Sequence, residues 1–171
     1  MARTQKRPKT ATDPVDWARH YWDHQGIAGD EQRFLALTSL LRYQRIVTDA
    51  VESELKAHEL NMTDYLLLMT LQLSETGTRL ISNLARSLLV HATTATLATD
   101  RLEERGFLKR SPHPTDRRAI CVSITDSGQT TANKATQALT NIGFGMHDST
   151  TEQVSDLLQA LTSLRRSADD N

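Results

Sequence analysis

The feature that constrains this chain most is the segment "SPHPTDRRAICVSIT", Ser111 to Thr125, because the sequence before it is compatible with helix almost throughout. No proline occurs from Val15 to Ser111, whereas Pro112 and Pro114 stand two residues apart and an alternating β-branched run follows them. Proline lacks a backbone donor and fixes φ, so it ends helices and stiffens turns. The segment therefore predicts the tip and second strand of a β-hairpin within a mainly helical protein.

Composition sets the broad class of the protein. The chain has 171 residues and a single cysteine, Cys121, so we expect one domain and no intramolecular disulfide framework. The sequence contains neither an apolar run long enough for a membrane span nor a signal-peptide pattern. We therefore expect a soluble cytoplasmic protein with no membrane partner.

Helix signals precede the hairpin. Residues 1–13 are polar and basic and are predicted to form a disordered arm. Asp13 and Pro14 are an N-cap and first-turn proline that open a short helix carrying both tryptophans. Apolar residues at spacings of three and four then predict a long amphipathic helix from Asp30 to His58.

Two capping boxes delimit further helices. Asn61 and Asp64 predict the start of a third helix, apolar nearly all round, which Gly77 ends. Ser149 and Glu152 predict the start of the last helix, whose leucines form a stripe similar to a coiled-coil seam. Both helices should bury apolar faces.

The segment between these helices has the spacing of a winged helix. Arg79–Leu89 and Ala92–Gly106 read as two short helices with a tight break, a pattern that any helical hairpin would also give. Phe107–Ser111 and Ala119–Ile124 then alternate as two strands, with Ile120, Val122 and Ile124 on one face. The fold class predicted is mostly α with a small β-hairpin wing, a winged helix-turn-helix with helices on either side.

Charge is concentrated in the same segment. Residues 79–118 hold eight Lys and Arg against four Asp and Glu, a net charge of +4, so the rest of the chain carries −5 of the total of −1. Clustered cations are typical of contact with a polyanion, although a solvated surface of mixed charge is the alternative reading. Charge alone does not decide between the two.

The sequence resembles the MarR (multiple antibiotic resistance regulator) family of transcription factors. The resemblance is carried by "LARSLLVHATTATLATDRLEERGFLKR" followed by "HPTDRRAICVSITDSG", which match the family's helix-turn-helix, wing and wing-to-helix junction in order. It implies a homodimer that binds double-stranded DNA at two half-sites roughly 10 base pairs apart. It also implies that residues 14–58 and 126–171 are dimerisation helices and that residues 59–125 are the DNA-binding lobe.

The family layout assigns site residues by position. It implies base contacts from the second helix and contacts to phosphate or the minor groove from the wing, with Arg118 in the groove, Asp116 bracing it and Arg117 on phosphate. The recognition-helix candidates are His91, Thr93, Thr94 and Thr96. The wing candidates are Arg110, His113, Thr115, Asp116, Arg117 and Arg118. A small aromatic effector is also implied, with Arg42, Tyr43 and Tyr65 as candidate pocket residues.

Other chemistry finds less support in the sequence. His20 and His24 share a helical face, but without an identifiable third ligand we expect no metal and no cofactor. Cys121 lies on a predicted wing strand, which favours a structural role over a redox one. No catalytic motif is present, so we expect no enzyme. The alternative function is a winged-helix protein-interaction module without specific DNA binding, which the apolar Leu97 and Ala92 of the predicted recognition helix would suit.

Overall fold

The computed structural model describes residues 13–116 and 119–168. Most of the predicted basic arm and the wing arginines Arg117 and Arg118 lie outside the described residues. The described chain is mainly helical with one small antiparallel sheet, which confirms the predicted fold class. The helices are α1 (Pro14–His24), α2 (Glu31–Leu55), α3 (Met62–Gln72), α4 (Ile81–Ser87), α5 (Ala92–Glu104), α6 (Asp126–Asn141) and α7 (Thr151–Ser167). The strands are β1 (Thr78–Leu80), β2 (Leu108–Pro112) and β3 (Ile120–Ile124), and two 3₁₀ turns cover Lys56–His58 and Gly143–Gly145.

The described chain divides into two compact units, and the division falls after Ile46, inside α2. In the first unit Asp13 caps α1 as predicted, its carboxylate accepting a hydrogen bond of 2.7 Å from the Val15 amide. Trp22 packs on Phe34 with ring centroids 5.1 Å apart. Trp22 of α1 thus contacts the start of α2, whereas Trp17 stays 45% exposed.

The core of the second unit surrounds α3. Leu67, Leu68 and Leu71 are fully buried and belong to a cluster that also takes in residues of α5, β3 and α6. The predicted capping box is present: the Asp64 amide donates to the Asn61 side chain at 2.8 Å, and the Asn61 amide donates to the Asp64 carboxylate at 3.3 Å. α3 ends at Gln72, earlier than Gly77 predicts.

The wing has three strands instead of the two predicted. Thr78–Leu80, which we expected at and just before the start of a helix, form β1 and pair antiparallel with β3, so the sheet order is β1-β3-β2. The Thr78 and Ser123 hydroxyls are 2.7 Å apart across this pair. The backbone groups at the edge of β3 would be left unpaired if a helix started at Arg79. The helical prediction for Arg79 and Leu80 is therefore wrong.

Burial along β3 differs from the simple alternation predicted. Val122 and Ile124 face the core, but Ile120, expected on the same face, is 46% exposed, and Cys121 on the opposite face is buried. Ile120 pairs with Pro112 at the far end of the hairpin, where the sheet extends beyond the core. Distance from the core, more than strand periodicity, sets burial here.

The junction after the wing fixes the hairpin to the core. Thr125 caps α6, accepting a hydrogen bond from the Gly128 amide at 3.1 Å, and its hydroxyl donates to the Gly106 carbonyl at 2.7 Å. A Cβ on Gly128 would lie 2.2 Å from the Phe107 carbonyl oxygen. Only glycine allows α6 to approach this closely to the start of the wing.

The last helix begins one residue later than predicted. Thr150 and Gln153 form its capping box, with bonds of 3.2 and 2.9 Å, whereas the Ser149 amide belongs to the preceding turn through the Met146 carbonyl. The predicted box of Ser149 and Glu152 is therefore wrong by one position. None of the helices in the described ranges is both long and apolar enough to cross a membrane.

Candidate DNA-binding surface

The turn between α4 and α5 is fixed by its own backbone. The Leu89 amide donates to the Arg86 carbonyl at 3.2 Å, and the Val90 amide donates to the Ala85 carbonyl at 3.1 Å. This pair of bonds is a Schellman motif, and it holds Leu89 at a left-handed φ of 52°. α5 can therefore start almost at once, with His91 as its N-cap.

The two faces of α5 differ in chemistry. Ala95, Ala98, Thr99 and Leu102 are buried against the second unit's core, and the small residues among them let α5 pack closely. The predicted recognition residues all lie on the opposite, exposed face: His91, Thr93, Thr94 and Thr96. Leu97 is also exposed there.

The exposed hydroxyls are not equivalent. The Thr96 hydroxyl donates to the Ala92 carbonyl one turn earlier, at 2.9 Å, so its proton is used within the helix. Thr93 and Thr94 have no side-chain hydrogen bond to any other described residue, and neither has His91. Thr93 and Thr94 can donate as well as accept, whereas Thr96 offers its methyl group and a lone pair.

An ion pair with one buried partner holds α5 on α3. Asp64 is 2% exposed, and its two oxygens accept from Arg101 at 2.5 Å from Nη2 and 3.3 Å from Nε. The same carboxylate closes the α3 capping box with Asn61. One side chain thus fixes the start of α3 and the position of the recognition helix.

A second ion-pair cluster joins the wing to α5. Arg110 on β2 donates to Glu103 from Nη1 and to Asp100 from Nη2, both at 2.5 Å. Its amide also donates to Glu103 at 3.0 Å. Arg110, predicted as a wing contact to DNA, is therefore bonded to two carboxylates of the recognition helix.

The wing tip is organised around His113. Its Nδ1 lies 3.4 Å from the Thr115 amide nitrogen and 3.2 Å from the Asp116 amide nitrogen, and the loop closes where the His113 amide donates to the Ala119 carbonyl at 3.0 Å. Thr115 and Asp116 are exposed at the tip, as a contact surface requires.

The candidate effector residues lie in different units. Arg42 and Tyr43 are on α2 in the first unit, where Arg42 is exposed and Tyr43 half-buried. Tyr65 is in the core of the second unit, and its hydroxyl lies 3.0 Å from that of Thr136. Tyr65 thus has a packing role whether or not it also meets a ligand.

The remaining candidates are His20, His24 and Cys121. His20 and His24 stack with ring centroids 6.3 Å apart, and the described residues contain no group of three or more His, Cys, Asp or Glu side chains suited to a metal. Cys121 is a buried thiol in the central strand.

The residues that sequence reasoning missed are the ones that orient the surface. Arg101, Asp100 and Glu103 entered the sequence argument only as charges, and Asp64 only as a capping residue. Their pairing depends on how α5 crosses α3 and meets β2. The one signal in the sequence was the i, i+3 spacing of Asp100 and Glu103, which puts two carboxylates on one helical face.

These features define a class of protein. A helix-turn-helix whose second helix exposes a polar face, with a β-hairpin ion-paired to that helix, is the DNA-binding unit of a winged helix-turn-helix transcriptional regulator.

Comparison with known proteins gives the family. The profile described as "MarR family" matches residues 60–120. The regulator PrsX of Escherichia coli is 30% identical over 117 residues, covering 68% of this chain and 70% of PrsX. The structure of Sco5413, a MarR family regulator from Streptomyces coelicolor, superimposes with a TM-score of 0.75 at 30% identity, covering 81% of this chain and 96% of Sco5413. Sco3205 from the same organism, solved in complex with DNA, has the same fold with a TM-score of 0.70 at 20% identity, covering 82% of this chain and 90% of Sco3205.

The chain belongs to the MarR family. It is a DNA-binding transcriptional regulator and not an enzyme.

Proposed function

We propose that this chain acts as a homodimer on a pseudo-palindromic operator, with α5 of each protomer in a major groove and the wing beside it. In this proposal DNA binding represses transcription, and a small aromatic ligand releases the protein. The observation that carries it is the exposed, polar face of α5, held in place by ion pairs on both sides.

The recognition face supports base contact. Thr93 and Thr94 present hydroxyls without partners among the described residues, and His91 stands exposed at the helix start. Hydroxyls can donate to or accept from base edges, and threonine methyl groups pack on thymine. With its hydroxyl proton engaged inside α5, Thr96 contributes a methyl contact, next to the exposed Leu97.

In the proposed complex the residues of the wing have different roles. Arg110 braces the hairpin against α5 through Asp100 and Glu103, and its guanidinium is oriented by them. Contact with DNA then falls to His113 and Thr115 at the tip and to Arg117 and Arg118, with Asp116 bracing Arg118. Guanidinium groups suit phosphate oxygens and narrow minor grooves.

Unpaired apolar faces support the homodimer. In the first unit Phe34, Leu37, Leu40 and Leu41 of α2 are between 41% and 56% exposed. In the second unit α7 has no fully buried residue, and Leu158 and Leu164 are 63% and 65% exposed. Apolar surface of this extent is typical of an interface, and a second copy would bring a second recognition helix. Residues 14–58 and 126–171 are accordingly proposed as dimerisation helices.

Relatives support the regulatory part of the proposal. MdtR of Bacillus subtilis, 31% identical over 86 residues, is a transcriptional repressor. An organohalide-sensing regulator of the same fold, with a TM-score of 0.69 at 19% identity, was solved in its 2,4-dichlorophenol-bound form. We extend both properties to this chain as expectations, with Arg42 and Tyr43 as the first residues to vary in a search for an effector site.

The test is a fluorescence-anisotropy titration of the purified protein with a duplex selected from genomic DNA. The double variant Arg117→Ala/Arg118→Ala should weaken binding about tenfold to a hundredfold. It should also reduce the salt slope by about one for each phosphate that these arginines neutralise. The matched control Arg165→Ala/Arg166→Ala removes the same charge from the last turn of α7. Because α7 lies in the proposed dimerisation region, size-exclusion chromatography first checks that this control is still dimeric. A dimeric control should leave affinity and slope close to wild type.

Two results would contradict the proposal. If both double variants weaken binding equally, the wing arginines act only through net charge. If the selection yields no duplex that resists competitor DNA, the protein-interaction alternative is favoured.

A further inference from the structure

The imidazole of His113 occupies an unusual position in the wing. Its Nδ1 lies 3.4 and 3.2 Å from the amide nitrogens of Thr115 and Asp116, two and three residues further along the chain. The Thr115 hydroxyl lies 3.3 Å from the same nitrogen. The side chain thus closes the turn at the tip of the hairpin, a task that short polar side chains such as Asp and Asn commonly perform in turns.

These contacts determine which ring nitrogen carries the proton. A main-chain N–H can only donate, so Nδ1 must accept and must be unprotonated. In a neutral imidazole the proton is then on Nε2, which becomes a donor. Among the described residues Nε2 has no hydrogen-bond partner, and the ring is only half-buried.

The Nε2–H donor of His113 is also held in a fixed position. His113 stands between Pro112 and Pro114, whose rings fix two backbone angles, and its amide donates to the Ala119 carbonyl at 3.0 Å. In the middle of β2, Arg110 ties the hairpin to α5. A donor fixed in this way loses little freedom on binding and imposes a direction on its acceptor.

We infer that His113 is a specificity-determining residue of the wing, with Nε2–H donating to a base acceptor in the minor groove and selecting A·T over G·C pairs. This inference rests on the proposed function, because it requires the wing to lie at a minor groove. Every base pair offers N3 or O2 acceptors there, but G·C adds the guanine 2-amino group, which is itself a donor. A fixed donor at the wing tip would meet that amino group unfavourably. A phosphate oxygen is the other acceptor on DNA, but it carries no base preference.

The test uses a duplex selected from genomic DNA by the wild-type protein. A hydroxyl-radical footprint identifies the A·T pairs under the wing, and these pairs are replaced by 2,6-diaminopurine·T, which adds only the minor-groove amino group. Inosine·C pairs at the same places present the major-groove edge of G·C but lack the amino group in the minor groove. Anisotropy titration then gives the affinity for the unmodified duplex divided by the affinity for each modified duplex.

Wild-type protein should bind the unmodified duplex about threefold to tenfold more tightly than the diaminopurine duplex, as expected for one neutral hydrogen bond. It should tolerate inosine·C. In His113→Asp a carboxylate can close the turn but cannot donate, so the ratio should fall to about one. Taking the ratio within one variant cancels the effect of the added negative charge. His147→Asp makes the same change in the turn before α7 and should keep the wild-type ratio.

Three outcomes are decisive. A ratio near one for wild-type protein, together with specific binding of the unmodified duplex, overturns the inference while leaving the proposed function intact. An equal ratio in wild type and His113→Asp also overturns it, because the preference then arises elsewhere. Failure of wild-type protein to select any duplex refutes the proposed function itself. Thermal unfolding of His113→Asp checks that the variant is folded.

Discussion

The ion pair between Asp64 and Arg101 predicts an asymmetry between its two partners. The Asp64 side chain is 3% exposed and that of Arg101 is 45% exposed. Replacing Arg101 with Met keeps most of its aliphatic stem but leaves a buried carboxylate whose remaining bond is 3.3 Å long, from the Asn61 amide. Replacing Asp64 with Asn removes the buried charge and leaves an arginine that water can reach.

The magnitudes follow from this difference in burial. Breaking a fully buried pair by removing one partner costs about 3–5 kcal/mol, and exposed pairs contribute about 0.2–1 kcal/mol. With one partner buried and the other half-exposed, we expect Arg101→Met to reduce the free energy of unfolding by about 2–3 kcal/mol. Asp64→Asn should cost about 1 kcal/mol, because an amide oxygen can still accept from the Asn61 amide.

Urea unfolding followed by circular dichroism measures both variants, at one protomer concentration because association alters apparent stability. The double variant should be more stable than the sum of the single costs implies, since the uncompensated charge is gone. An Asp64→Asn variant that is less stable than Arg101→Met would refute the reasoning.

Three further predictions concern the same surface. Leu89→Gly should raise the free energy of unfolding by about 1 kcal/mol in urea titration, because glycine relieves the left-handed φ and Leu89 is 78% exposed; a loss of stability would show that Leu89 is packed. Gly128→Ala should lower the free energy of unfolding by about 3 kcal/mol, since the new Cβ would lie 2.2 Å from the Phe107 carbonyl oxygen. An unchanged free energy of unfolding would mean that α6 shifts freely. Arg110→Met should weaken operator binding about tenfold in anisotropy titration, because two carboxylates of α5 lose their counter-charge near the phosphates; wild-type affinity would exclude the bracing role.

Local signals predicted most of the helices well. Asp13 and Asn61 cap the helices assigned to them, because a capping side chain and its amide are close in sequence. The predicted start of the last helix is one residue too early because adjacent Ser, Thr and Thr are all competent caps. The recognition residues on the exposed face of α5 follow instead from the family resemblance, which assigns them by position in the helix-turn-helix.

Features that depend on distant partners could not be predicted. β1 is three residues long and has no periodicity of its own, so it exists because β3 offers an edge. Asp64 and Arg101 are brought together by helix packing, and no spacing rule connects residues so far apart. The turn closed by His113 went unnoticed because sequence rules for such turns concern Asp, Asn, Ser and Thr.

A hydroxyl-radical footprint of the wild-type protein on a duplex selected from genomic DNA tests the central claim most directly. A homodimer with α5 of each protomer in successive major grooves predicts two symmetrically placed sets of protected sugars, centred about one helical turn, roughly 10 base pairs, apart. Protection of a single half-site, or uniform weak protection along the duplex, would contradict the account.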